Sequence, residues 1–169
     1  MADYTSLAVH DLRSYIWEKL KADEILSESD YYADGYTEPL VPIIPSQQIP
    51  EFNNLLPGKL YMTYDNEVLP IDEQWWVTHE MLNLMVVSPD HDKINTVTNY
   101  LLDLLKRYDD SAGEIRRSNI LSNNFIFHYT AINRIKSPAP MKQEGGLRVG
   151  QISILYCYSR KNNSEGRFL

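Results

Sequence analysis

Cysteine is almost missing from this chain: Cys157 stands alone, so no internal disulfide can staple the fold, and a reducing compartment with a buried thiol is expected. Nowhere do eighteen apolar residues run together, which leaves no candidate for a membrane-spanning helix. The opening residues MADYTSLAVHDLR carry neither a basic start nor an apolar run of signal length, and no secretion is expected from them. Positive charge is short as well. Sixteen basic residues stand against 23 acidic ones, a net charge of -7, which is the wrong sign for a protein that grips phosphate backbones.

Catalytic signatures are equally scarce. No GxSxG elbow surrounds any serine. His79 and Glu80 begin a zincin-like pair, but the second histidine four places on is absent because that position holds Asn83. The glycines of GGLRVG, at 145, 146 and 150, lead into a strand and not into a helix N-terminus, so they shape a hairpin and do not cradle phosphate. The residues point to no catalytic group, cofactor or metal, and an enzyme is not the expected reading. No internal repeat is visible.

What is present organises itself around Ser88 to Ala112. Ser88 suits an N-cap and Pro89 the first helical position, since its missing N–H would have no partner there. Asp90 and Asp92 match the positive end of the helix dipole, and Lys106 and Arg107 the negative end. Between them Ile94, Val97, Leu101, Leu104, Leu105 and Tyr108 recur at three- and four-residue steps and line one apolar face. Burial stabilises each large side chain by about 1.5–3 kcal/mol, against tenths for propensity, so packing decides that this helix exists. It needs a sheet to lie on.

The whole chain, 169 residues at 43% hydrophobic and 23% charged, is one domain's worth and rich enough to bury a core. Thr5 or Ser6 is expected to cap a first helix over 6–22, with Leu12, Ile16 and Leu20 four apart. From 30 to 58 the prolines at 39, 42, 45, 50 and 57 exclude a helix or a central strand. This stretch is read as an extended arm, too apolar for a solvated linker, which either lies along its own domain or covers a neighbour. The sheet and central helix then occupy 59–159. KLYMTY is a short strand ended by a turn-like DNEVLP, and the run from Trp75 to Val87 is a second strand. The run from 124 to 135, apolar on both sides, suits a central strand covered on both faces. After the interruption KSPAPMKQEGG, Leu147 to Ser159 closes a hairpin with a proline-stiffened tip. The tail 160–169 is polar enough to fray. The fold expected is α+β: about four strands, mixed or antiparallel, with two amphipathic helices against them.

Several polar groups invite a functional reading beside a structural one. Asp90, His91 and Asp92 are ligand types, but neighbours on a helix diverge by about 100°, and dipole matching explains them better. Asp109, Asp110 and Glu114 form an acidic patch or a solvated helix end. Arg116 and Arg117 offer an anion site or intersubunit pairs, or are neutralised by the acids beside them. Trp75 and Trp76 point to opposite faces in a strand, so one can anchor an interface while the other is core.

Taken together, PIIPSQQIPEF at 42–52, PGKLYMTYD at 57–65, the tryptophan pair and KRYDDSA at 106–112 resemble the neck and tail-completion proteins of long-tailed phages, most of all the tail terminators of contractile-tailed phages. The resemblance spans residues 35 to 160. It implies a small structural subunit that forms a homo-oligomeric, hexameric ring on the tail tube, stops tube and sheath growth, and docks to the head connector. Its partners would be its own copies, tail tube and sheath proteins, and connector or adaptor proteins. DNA would pass through without sequence-specific binding, eased by the subunit's acidity. No membrane is involved, and the place is the virion, after synthesis in the host cytoplasm. The interface would draw on Tyr36, Leu40, Val41, Ile43, Ile44, Ile49 and Phe52 of the arm, Trp75 and Trp76, Arg116 and Arg117, and Pro138, Pro140 and Met141 of the hairpin tip. Two alternatives stand beside this: a head-closure adaptor at the connector, and a small metal-dependent or nucleotide-binding enzyme using His79, Glu80, Asp90 and His91.

Overall fold

A computed structural model of the chain describes residues 7–27, 43–45, 60–69, 77–107, 117–140 and 146–161. The fold is α+β. The elements run α1 (Ala8–Ala22), β1 (Ile43–Pro45), β2 (Tyr61–Leu69), β3 (Thr78–Ser88), α2 (His91–Leu105), β4 (Phe125–Pro140) and β5 (Arg148–Arg160). The strands form one open sheet in the order β1-β2-β3-β5-β4. β2, β3, β5 and β4 pair antiparallel, and β1 adds a short parallel edge beside Met62–Tyr64. Among the described residues, no helix is long and apolar enough to cross a membrane.

Both helices lie on one face. Leu12, Ile16 and Leu20 of α1 and Ile94, Val97 and Leu101 of α2 join Met62, Leu82, Leu84, Val86, Ile152 and Ile154 in a single apolar cluster. The three- and four-residue spacing in the helices and the two-residue spacing in the strands meet there, as their periods require. Gly150 marks the closest approach: a Cβ on it would stand 2.5 Å from Ile94 Cγ2. β5 has no side chain where the first turn of α2 crosses it. The sheet's second face carries Tyr61, Thr63, His79, Met81 and Cys157, which are buried as well.

The helix ends differ from expectation. Asp90, not Ser88, is the N-cap of α2: its carboxylate accepts from the backbone N–H groups of Asp92 at 2.9 Å and Lys93 at 3.4 Å. Ser88 closes β3 and its hydroxyl accepts from the Asp90 N–H at 3.1 Å, while Pro89 bridges the two. Lys106 is the C-cap, so Lys106 and Arg107 follow the last turn, and Tyr108 lies outside the described residues. Leu7 fills the N-cap position of α1 without a side-chain bond; Thr5 and Ser6 lie outside the described residues.

Three strand expectations are corrected. β2 does not stop at Tyr64: the stretch Asp65 to Leu69 stays in register with Asn83 to His79 of β3. β4 is an edge strand, with Ile126 48% exposed, and not a strand covered on both faces. It also continues through Ser137 to Pro140, which the edge permits because proline there costs no ladder hydrogen bond. Three register shifts along β4 let it follow the twist of β5.

Candidate functional site

Among the described residues, two polar clusters and two exposed margins are the places where this fold could act. The first cluster sits on the helix-bearing face. Glu80 is buried, and its Oε1 accepts from the Tyr158 hydroxyl at 3.0 Å. Its Oε2 accepts from the Asn66 amide at 3.3 Å and from the Tyr156 hydroxyl. Register builds the group, since Glu80 pairs with Tyr156 across β3 and β5, and Asn66 comes from the neighbouring β2. Burial first, and then the hydrogen bond and charge of Glu80, push the Tyr156 hydroxyl far above its ordinary range. Tyr158 rises for the same causes, burial and then the charge of Glu80. Both hydroxyls therefore remain donors. A carboxylate held by three donors is an anchor for three strands, and it leaves no proton to move.

The second cluster lies on the opposite face. His79, Cys157 and Tyr129 stand in one line across β3, β5 and β4. His79 Nε2 lies 2.9 Å from the Tyr129 hydroxyl, and the Arg107 guanidinium sits 4.3 Å from the centre of the Tyr129 ring. A histidine beside a cysteine is a nucleophile-and-base pairing in outline. The chemistry runs the other way: burial pushes the Cys157 thiol up to about 11, partly opposed by its Tyr129 hydrogen bond and the charge of Arg107. With 2% of its surface exposed, Cys157 stays a thiol. Burial, then the charges of Arg107 and His128, hold His79 below its usual range, so it is neutral at pH 7.

The enzyme reading asked His79, Glu80, Asp90 and His91 to converge. They do not. His79 and Glu80 are adjacent in β3 and face opposite sides of the sheet. Asp90 and His91 start α2 beyond the far end of that strand, roughly 25–30 Å away at about 3.3 Å per residue. His91 lies 3.7 Å from Asp92 and 3.3 Å from the Asn95 amide, both at the surface. Among the described residues, no three His, Cys, Asp or Glu side chains are grouped to hold a metal ion. A groove of about 290 Å³ runs between α1 and the segment 119–121, lined by Asp11, Ser14, Tyr15, Glu18 and Lys19. One of its two lining carboxylates, Asp11, already accepts from the Ser122 hydroxyl at 2.6 Å.

Of the interface residues read from the sequence, Ile43 is corrected: it is 0% exposed in the subunit's own core. Arg13 of α1 fixes its backbone by donating to the Ile43 carbonyl and, at 3.2 Å, to the Tyr64 hydroxyl. The side chain of Ile44, together with Tyr36, Leu40, Val41, Ile49, Phe52, Trp75, Trp76, Arg116 and Met141, lies outside the described residues. Arg117 and Pro140 are exposed and Pro138 is half-buried. Sequence reading missed the Glu80 cluster, because its members are brought together only by strand register. It also missed two exposed stretches on opposite sides of the sheet, Asp65 to Val68 on β2 and Asn133 to Ser137 on β4. No protein-family model matches the chain, and a search of curated proteins finds no match.

Proposed function

We propose that this chain is a structural protein of a phage neck, a tail terminator whose copies form a hexameric ring on the tail tube and sheath and join it to the head connector. One observation carries the reading. β4 is a 16-residue edge strand whose second half, from Asn133 to Ser137, is exposed and adds no large side chain to the subunit's own core. A strand of that length is costly to order for its own sake, and rings are built from such repeated heterologous contacts. The polar clusters agree with a mechanical role: each locks strands together, and neither presents a reactive group. The proline-bounded apolar arm adds material suited to a neighbour, although Ile43 within it is used internally.

The test uses purified protein. Immobilised chain should retain tail tube or sheath protein in preference to connector protein; the reverse preference identifies a head-closure adaptor. Replacing Leu40, Val41, Ile49 and Phe52 by serine, which leaves β1 (Ile43–Pro45) in place, should lower the assembled mass on tails, and unchanged assembly removes the arm from the proposal.

A further inference from the structure

The outer strand beside β2 is held by very little. β1 has three residues, Ile43–Pro45, and among the described residues it is the one strand that pairs in parallel, with Met62–Tyr64. What receives it is a slot. The Ile43 side chain is fully buried in the apolar cluster that also holds Leu60 and Met62, and Arg13 of α1 donates to the Ile43 carbonyl. The same guanidinium donates to the Tyr64 hydroxyl at 3.2 Å and lies 4.6 Å from the centre of the Tyr64 ring. Arg13 thus ties β1 to β2 from the helix side. The slot reads one backbone carbonyl and one apolar side chain, and any copy of β1 presents both.

The chain on either side of β1 is long. Fifteen residues, 28–42, lead into it and fourteen, 46–59, lead from it towards β2. At about 3.3 Å per extended residue they can span about 50 and 46 Å. A 169-residue domain has a radius of gyration of about 15 Å, hence a diameter of about 40 Å. Both connections can therefore carry β1 to a neighbour and return. Within one chain a parallel pair is usually closed by a crossover helix. Pro50 and Pro57 leave six residues between them, too few for a helix of ordinary length. The connection is not committed to its own subunit.

Resting on the ring reading, we infer that β1 is exchanged between copies: Ile43–Pro45 of one subunit fills the slot beside Met62–Tyr64 of the next. The closed and the exchanged forms make the same contacts, so the exchange requires only the release of a three-residue strand at an edge. On the tail, neighbouring strands stand at high effective concentration, which favours the step there over dilute solution. Each subunit gives one strand and receives one, a head-to-tail contact that closes with the ring. The exchange also accounts for a core residue lying within a proline-bounded arm. Ile43 is buried in both forms, by its own subunit before assembly and by its neighbour afterwards.

The experiment traps β1 where it lies. Paired positions on adjacent strands stand about 4.8 Å apart, within disulfide reach. Ile43 pairs with Met62 and Ile44 with Thr63, so cysteines at either pair report which subunit fills the slot. Ile43→Cys with Met62→Cys is the first variant, and Ile44→Cys with Thr63→Cys replaces it should the core pair fail to fold. The buried Cys157 does not compete. Oxidised as dilute free subunit, the double variant should form an internal disulfide. Oxidised after assembly on tail tubes, it should form covalent multimers up to the size of the ring on a denaturing gel. Chains carrying one new cysteine each, mixed on tubes, should give covalent dimers of unlike chains. Internal disulfides alone on assembled tubes, or no dimers from the mixture, overturn the exchange while leaving a ring in place. No disulfide from either pair overturns the slot, and the exchange with it. A wild-type chain that neither self-associates nor binds tubes removes the ring reading, on which the exchange rests.

Discussion

Replacing Gly150 by alanine separates two outcomes of opposite sign. Gly150 lies outside the left-handed region, so its backbone accepts alanine. In a strand with room for a methyl group, the change would stabilise by about 0.4–1 kcal/mol by narrowing the unfolded ensemble. Here the new Cβ would meet Ile94 Cγ2 at 2.5 Å, with the Lys136 carbonyl at 3.7 Å and Thr98 Cγ2 at 3.8 Å. Carbon atoms pack at about 3.5–4.0 Å, so α2 must lift or Ile94 must turn by about 1 Å. Ile94 is fully buried, so its displacement must be taken up within the core. Overpacking of this kind costs about 1–3 kcal/mol. For a domain of this size that lowers the melting temperature by about 2–12 °C. Urea unfolding of Gly150→Ala, Ile94→Ala and the double variant should show the alanine at 150 harmful in the wild-type background and harmless once Ile94→Ala has removed the methyl group it meets. A neutral or stabilising Gly150→Ala in the wild-type background refutes the packing of α2 against β5.

Two further perturbations address the polar clusters. Tyr156→Phe removes a donor from the buried Glu80 carboxylate and should cost about 1.5–3 kcal/mol, read as a lower urea midpoint; an unchanged midpoint means the hydroxyl does not anchor the strands. His79 is held below its unfolded value by burial and by the charges of Arg107 and His128. In the window below about pH 6.5 the unfolded chain therefore binds more protons, so stability rises with pH there and is lost as pH falls. His10, lowered by burial and Arg13, acts in the same direction. Stability compared at about pH 7.5 and 5.5 should fall less in His79→Gln than in the wild type. An equal fall in both proteins removes His79 from the acid response.

The sequence was most legible where one period ran without interruption. Ile94, Val97, Leu101 and Leu105 mark the buried face of α2, and Leu12, Ile16 and Leu20 that of α1, because each helix meets a single partner surface. Leu60, Met62 and Tyr64 mark the start of β2 in the same way. Legibility failed at edges. Asp65, Asn66 and Glu67 read as a turn because polar residues interrupt the alternation, yet on an open margin nothing forces those positions to be apolar. β4 read as central because both its sides are apolar at the start, and only the strand order reveals that Ile126 faces solvent. Ser88 and Asp90 both have cap chemistry, and the choice fell to where β3 ends. The Glu80 group could not be read at all, since Asn66, Glu80, Tyr156 and Tyr158 are joined only by cross-strand register. A glutamate in a mostly apolar strand was its one visible trace.

At the root lies the claim that this subunit ends a growing tail. Tails assembled without the protein and measured by electron microscopy test it directly. Tubes well beyond normal length that fail to join heads, restored by adding purified chain, are the expected result. Tubes of normal length, joined to heads in its absence, contradict it.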